Sequence, residues 1–155
     1  MGLKIYFAGA IRAGRNDVAL YCSMIDFLAS FGEVMTEHVG DLELTEKGDD
    51  GPDDRFIHDR DMAWLKDSDL VIAEVTTPSL GVGYELGWAA AWNKPTLCLF
   101  RGQCPGKISA MIAGCPAFQT VVYSELEKAK EYMSTFIAKN SHAGKYRQLK
   151  GGGIE

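Results

Sequence analysis

Residues 70–75 read Leu-Val-Ile-Ala-Glu-Val, a continuous apolar run broken only by Glu74. A strand with one wet face alternates apolar and polar residues. A run like this one instead calls for a strand covered on both sides, as in parallel sheets. Four more short runs of strand character follow the same style, at Lys4–Ala8, Glu33–Met35, Pro95–Phe100 and Phe118–Tyr123. Between them the spacing turns helical. Asn16 is an N-cap candidate ahead of Leu20, Met24, Phe27, Leu28 and Phe31, with Gly32 as the C′ stop. Further helices are predicted over Asp54–Asp67, Gly81–Asn93, Ile108–Ala113 and Glu125–Lys139. Strands alternating with helices predict an α/β fold, a doubly wound five-stranded parallel sheet of flavodoxin-like type.

At 155 residues the chain fits one domain, expected over residues 1–140. Residues 141–155 carry Lys145, Arg147, Lys150 and three consecutive glycines and read as a flexible tail. Residues 40–54 are acidic and aperiodic, either a functional flap or a disordered loop. The net charge of −5 gives no electrostatic footprint for a nucleic acid polymer or an anionic membrane. Nothing approaches the roughly 18 apolar residues of a membrane span, and the N-terminus enters a strand without a signal-peptide pattern. The four cysteines form no CxxC pair and the three histidines lack ligand spacing, so no metal site is expected. Reduced thiols in a cytoplasmic or nuclear protein are the default expectation.

Open α/β sheets bind ligands beyond the carboxyl ends of their strands. The turn after residue 75 reads Thr-Thr-Pro-Ser-Leu-Gly-Val-Gly-Tyr-Glu-Leu-Gly, which puts Ser79, Gly81 and Gly83 where backbone N–H groups and a helix start can meet an anion. A plain strand-to-helix turn would look the same, and this is not the dinucleotide fingerprint. Glu85 falls near the start of that helix, on the side of Tyr84, Trp88 and Trp92. The helix dipole would keep its carboxylate ionised, as suits a nucleophile attacking an anomeric carbon; a glutamate merely complementing the dipole is the alternative. Asp61 interrupts the stripe Ile57–Trp64–Leu65. Such a placement raises a carboxyl's pKa and fits a general acid or proton shuttle, or else an aspartate that ties down backbone.

Tyr6 and Arg12 bracket the first strand-end turn, which this topology sets beside the third. Tyr6 can orient Glu85 and Arg12 can meet phosphate, although a core tyrosine and a solvated arginine would read alike. His38 ends the second strand within reach of a substrate or as a structural histidine. His58 is expected in solvent, Ser109 is a helix-start residue, and Trp64, Trp88 and Trp92 read mainly as core.

Together these stretches resemble the 2′-deoxynucleoside 5′-phosphate N-hydrolase family, within the nucleoside 2-deoxyribosyltransferase superfamily. The resemblance runs from about Ile5 to Tyr132 and rests on Ile5-Tyr6-Phe7-Ala8-Gly9-Ala10-Ile11-Arg12, Thr36-Glu37-His38-Val39, Ile57-His58 with Asp61 and Trp64-Leu65, Pro78-Ser79-Leu80-Gly81-Val82-Gly83-Tyr84-Glu85-Leu86-Gly87, and Ser109-Ala110-Met111-Ile112. It implies hydrolysis of the N-glycosidic bond of deoxynucleoside 5′-monophosphates, without a cofactor. Glu85 would form a covalent deoxyribosyl-enzyme, Asp61 would assist base departure and water activation, and Tyr6 would hold Glu85. Gly9, Ile11 and Arg12 with Ser79 and Gly81 would bind phosphate. Ser109 of a neighbouring subunit would complete that site, which makes the expected partner a second copy. The family pattern has serine where this chain has Ala10, a lost hydroxyl that bears on how tightly phosphate is held. Two other activities are compatible with the same residues: a transferase that moves deoxyribose between bases, and a nucleotide-binding module without catalysis.

Overall fold

The computed structural model describes residues 2–10, 17–35, 53–104 and 106–141. Five strands alternate with five helices: β1 (Leu3–Ala8), α1 (Val18–Ala29), β2 (Gly32–Val34), α2 (Asp54–Asp67), β3 (Leu70–Glu74), α3 (Leu80–Ala91), β4 (Thr96–Arg101), α4 (Ala110–Ala113), β5 (Phe118–Tyr123) and α5 (Leu126–Asn140). All strand pairs are parallel, in the order β2-β1-β3-β4-β5. This is the doubly wound sheet the alternation predicts. The order reverses between β1 and β3, and that switch point is where such sheets open a crevice.

Period-two alternation sorts each strand onto two faces. Ile5, Phe7, Leu70, Ile72, Leu97, Leu99 and Tyr123 join α1 and α5 in one core. Tyr6, Ala8, Val71, Ala73 and Cys98 join Leu65 of α2 and Val82, Leu86 and Ala89 of α3 in the other. Every residue of β3 is buried, which accounts for its unbroken apolar character. The side chain of Asp53 caps α2, accepting from the Phe56 N–H at 2.7 Å.

The helix ends correct the sequence reading in places. Asp17, not Asn16, holds the N-cap position of α1, and its carboxylate makes no cap bond there. Gly32 is not a C′ stop, because α1 ends at Ser30 in right-handed geometry. Instead Gly32 opens β2, where an added Cβ would lie 2.1 Å from the Leu3 carbonyl oxygen. Glycine is there because two strands approach too closely for a side chain. Strand β2 is only three residues long, although the Met35 N–H still bonds the Ile5 carbonyl at 2.7 Å. Helix α4 is shorter than predicted, with Ser109 at its N-cap position but making no side-chain cap bond. The loop expected at 40–54, apart from Asp53 and Asp54, and the tail after Ser141 lie outside the described residues.

Candidate active site

Tyr6 stands at the middle of β1 on the α2–α3 face, 1% exposed. Its hydroxyl donates to Glu85 Oε1 at 2.9 Å, a contact between residues 79 apart in sequence. Burial raises the Tyr6 phenol well above its ordinary value, and the negative charges of Glu85 and Asp61 push it further. The O–H therefore stays protonated and acts as a fixed donor.

Glu85 lies six residues into α3, beyond the first turn in which a helix dipole acts strongly. The expectation of a dipole-stabilised carboxylate fails for that reason. Protein surrounds most of the carboxylate although part of the residue still touches solvent. This burial lifts its pKa from 4.5 to about 7, opposed by the Tyr6 bond and reinforced by Asp61. Loss of hydration outweighs the hydrogen bond. The result is a carboxyl poised near neutrality, with a second carboxylate as its electrostatic neighbour.

Asp61 is not stranded in apolar surroundings. Its Oδ1 accepts from Arg60 Nε at 2.9 Å, and the Asp61 side chain is 15% exposed. The Arg60 guanidinium lies over Trp64, 4.8 Å from the ring centre, and 5.9 Å from that of Phe56. Sequence reasoning passed over Arg60, yet the signal was present: Phe56 and Trp64 stand at i−4 and i+4 from it, on its own side of the helix.

The phosphate candidates form a separate group. Ser79 is the N-cap of α3, and its Oγ accepts from the Val82 N–H at 3.4 Å. The first amides of any helix lack intrahelical acceptors, so those of Leu80 and Gly81 are the donors on offer here. An added Cβ on Gly81 would meet nothing closer than Ser79 Oγ at 3.8 Å, and one on Gly83 would meet nothing within 4 Å. Packing among the described residues thus does not demand these glycines. A cavity of about 550 Å³ brings Ser79 and Ser109 together within one chain, along with Thr77, Tyr84 and Met111. Tyr6, Asp61 and Glu85 do not line it. Gly9 and Ala10 follow β1 as buried residues, whereas Ile11, Arg12 and His38 lie outside the described residues.

The aromatic row on α3 is largely at the surface. Tyr84 and Trp88 are exposed, 6.4 Å apart between ring centres, and Trp88 continues to Trp92 at 5.1 Å. Trp88 is therefore not core, contrary to its sequence reading, while Trp64 and Trp92 pack against the α2–α3 core. His58 is exposed as expected, and its Nε2 lies 3.1 Å from the Tyr84 hydroxyl. No helix among the described residues is long and apolar enough to cross a membrane.

Comparison with known proteins bears on the family and the fold. The profile of the nucleoside 2-deoxyribosyltransferase family matches residues 5–106, from β1 past β4, and so spans Tyr6, Asp61 and Glu85. A 5-hydroxymethyl-dUMP N-hydrolase of Mus musculus is 53% identical over 128 residues, 80% of this chain and 74% of the mouse protein. The Danio rerio protein of the same name is 49% identical over 144 residues, 89% of this chain and all of its own length. Among solved structures, a CMP N-glycosidase of Clostridium botulinum superposes with a TM-score of 0.63 at 20% identity, covering 86% of this chain and 98% of its own. That likeness concerns the fold. With the sequence matches running through both sides of the switch point, the chain belongs to the nucleoside 2-deoxyribosyltransferase family.

Proposed function

We propose that this protein hydrolyses the N-glycosidic bond of 2′-deoxynucleoside 5′-monophosphates, releasing the free base and 2-deoxyribose 5-phosphate. The observation that carries the reading is the trio Tyr6–Glu85–Asp61, a buried carboxyl near neutral pKa held by one hydroxyl beside a second carboxylate. The names of the mouse and zebrafish relatives supply the substrate class. Ionised Glu85 attacks C1′ of the deoxyribose, and the C1′–N bond breaks as the base leaves with its electron pair. Asp61 gives its proton to the base as it departs, and the resulting carboxylate then takes a proton from the water that attacks C1′, which frees Glu85 as a carboxylate. Both carboxylates are the chain's own, and the sequence calls for no cofactor. Glu85→Gln should bind the nucleotide and lose turnover, and mass spectrometry of quenched wild-type enzyme should show a deoxyribosyl phosphate adduct on Glu85. A variant that keeps a tenth of wild-type turnover overturns the nucleophile.

Phosphate is assigned to Ser79 and Gly81 with Gly9, Ile11 and Arg12, and a contact from His38 belongs to the same reading. In favour of a homodimer, Leu80 is 96% and Met111 82% exposed, along with exposed Tyr84 and Trp88, apolar side chains that a second copy could cover. The family resemblance has Ser109 serving the neighbouring copy's site, while the cavity sets it beside Ser79 of its own chain. Mixing inactive Glu85→Gln and Ser109→Ala subunits decides: recovered activity means shared sites, none means Ser109 serves its own chain. A catalytic unit over residues 1–140 and a cytoplasmic or nuclear place, with thiols reduced, complete the reading. The family's name favours a second outcome, transfer of deoxyribose to another base, which a foreign free base in the assay would reveal as a new nucleotide.

A further inference from the structure

The opposite face of the sheet carries a cluster of polar groups that the proposed chemistry does not use. Glu74, the last residue of β3, is 0% exposed. Its carboxylate accepts from the Thr76 hydroxyl, from the Thr76 N–H at 3.3 Å and from the Tyr123 hydroxyl at 3.0 Å. The Thr76 oxygen in turn accepts from the Arg101 N–H at 2.8 Å, which aims its own hydrogen at Glu74. One terminal nitrogen of Arg101 donates to both Asp17 oxygens, at 3.0 and 3.1 Å, and Arg101 Nε points at Cys104 Sγ at 2.9 Å. The Thr77 hydroxyl donates to the same Asp17 carboxylate at 3.4 Å.

The chain positions of these groups matter more than their number. Asp17 ends the connection between β1 and α1, the one that carries Ile11 and Arg12. Thr76 and Thr77 begin the connection between β3 and α3, which leads to Ser79 and Gly81. Arg101 ends β4, on the far side of β3 from β1, and reaches back to both through Thr76 and Asp17. Asp17 sits where a helix would ordinarily use its side chain as a cap, yet gives its oxygens to Arg101 and Thr77 instead. A forgone cap costs helix stability, so the cross-link between the two connections is what the carboxylate is placed for.

We infer that Asp17, Arg101 and Thr77, with Glu74 and Thr76 beneath them, are positioning residues that hold the β3–α3 turn, with its Ser79 and Gly81, against the start of α1 and thereby set the preference for phosphorylated substrate. The inference rests on the phosphate reading proposed above. Phosphate contacts tolerate little misplacement, because charge-assisted bonds weaken steeply with distance and angle. A hydroxyl missing at Ala10 leaves fewer contacts to share any error, which makes the spacing count for more.

The test uses inorganic phosphate as a competitive inhibitor of the full-length chain, beside kcat and KM for a deoxynucleotide and the matching deoxynucleoside. Asp17→Asn and Arg101→Met should each raise the phosphate Ki and the nucleotide KM by about tenfold, with kcat within about threefold and the nucleoside unaffected. Arg101→Lys, which keeps a cation against Asp17, should recover most of the loss. Thr77→Val, a milder change that leaves the ion pair in place, should shift both constants the same way by about threefold and serves if either charge variant fails to fold. Folded variants with an unchanged phosphate Ki, or with equal losses for nucleotide and nucleoside, overturn the inference and leave the phosphate site standing. A wild-type enzyme indifferent to inorganic phosphate and to the substrate's phosphate overturns the phosphate reading itself, and this inference with it.

Discussion

Two glutamates sit on opposite faces of the sheet, and each accepts a bond from a tyrosine hydroxyl: Glu85 from Tyr6 at 2.9 Å, Glu74 from Tyr123 at 3.0 Å. Burial pushes both carboxyls above their ordinary range. They differ in what else surrounds them. Glu74 receives two further donors from Thr76, and these oppose the burial. Among the described residues Glu85 has Tyr6 alone, with the negative charge of Asp61 working against it, and rises to about 7. Saturating a buried carboxylate with donors fixes its charge and makes it a structural anchor. Leaving it short of donors beside another acid makes a group that changes charge near neutral pH, as a nucleophile and its partner must. A buried glutamate with a tyrosine partner is thus not itself the mark of chemistry; the missing donors are.

The largest expected effect tests that contrast by the same substitution at both places. Glu85→Gln should lower kcat by about a thousandfold or more. Glu74→Gln should leave kcat within about tenfold but lower stability by about 2 kcal/mol or more, because an amide NH₂ then faces N–H and O–H donors. In wild type the raised Glu85 pKa makes this group's contribution to stability complete below about pH 4.5 and lost as pH rises through about 7. Glu85→Gln removes that loss, so the variant should gain on wild type between those pH values, by up to about 3 kcal/mol at pH 8. Urea melts at pH 5 and pH 8 read the difference. A Glu85→Gln protein no more stable than wild type at pH 8 would mean that the site holds no such strain.

Next in size are the two neighbours of Glu85, and their predicted pH effects have opposite sign. Tyr6 donates to the ionised carboxylate and lowers its pKa, so Tyr6→Phe should move the acid limb of kcat/KM upward from about 7. Asp61 repels that charge, so Asp61→Asn should move the same limb downward. Turnover should fall by about ten- to a hundredfold in the first case and about a hundredfold or more in the second. Limbs that move together would dissolve the trio. Arg60→Met, which takes the cation from Asp61, should cost about tenfold in kcat with little change in KM.

Much of this was legible in the chain, because its strands are short apolar runs punctuated by glycine, proline and asparagine. The topology then fixed which residues could meet. With β1 beside β3 and a helix after β3, Tyr6 can reach Glu85, although a core tyrosine reads alike until the bond between them is seen. Glu74 was legible only as a break in an apolar run, since its donors come from Thr76 and Tyr123, and Tyr123 is 49 residues away. Gly32 misled because the same residue ends helices and permits close strands, and only the Leu3 carbonyl beside it tells the two apart. Asp17 and Arg101, 84 residues apart, carry no local pattern at all. Long-range polar pairs need the fold first, whereas apolar periodicity announces itself.

The smallest expected effect concerns the glycines of α3, and it bears on why this face differs from the other. Gly81, Gly83 and Gly87 lie in a twelve-residue helix, each costing about 0.5–1 kcal/mol relative to alanine. A Cβ at Gly83 or Gly87 would meet nothing within 4 Å, and at Gly81 only an ordinary contact. None has positive φ, so the backbone does not demand them. The helix therefore bears about 1.5–3 kcal/mol that packing among the described residues does not explain. The substrate at Gly81, or a second copy close against Gly83 and Gly87, would account for it. Thermal melts at high dilution, where any dimer is dissociated, should show each glycine-to-alanine variant slightly more stable than wild type. At working concentration the variants should separate. Gly87→Ala should weaken association in sedimentation by about tenfold while sparing the nucleotide KM, and Gly81→Ala should raise that KM while sparing association. Three alanine variants that gain stability and lose nothing else would leave these glycines without a function, and would remove the close approach of a second copy along α3.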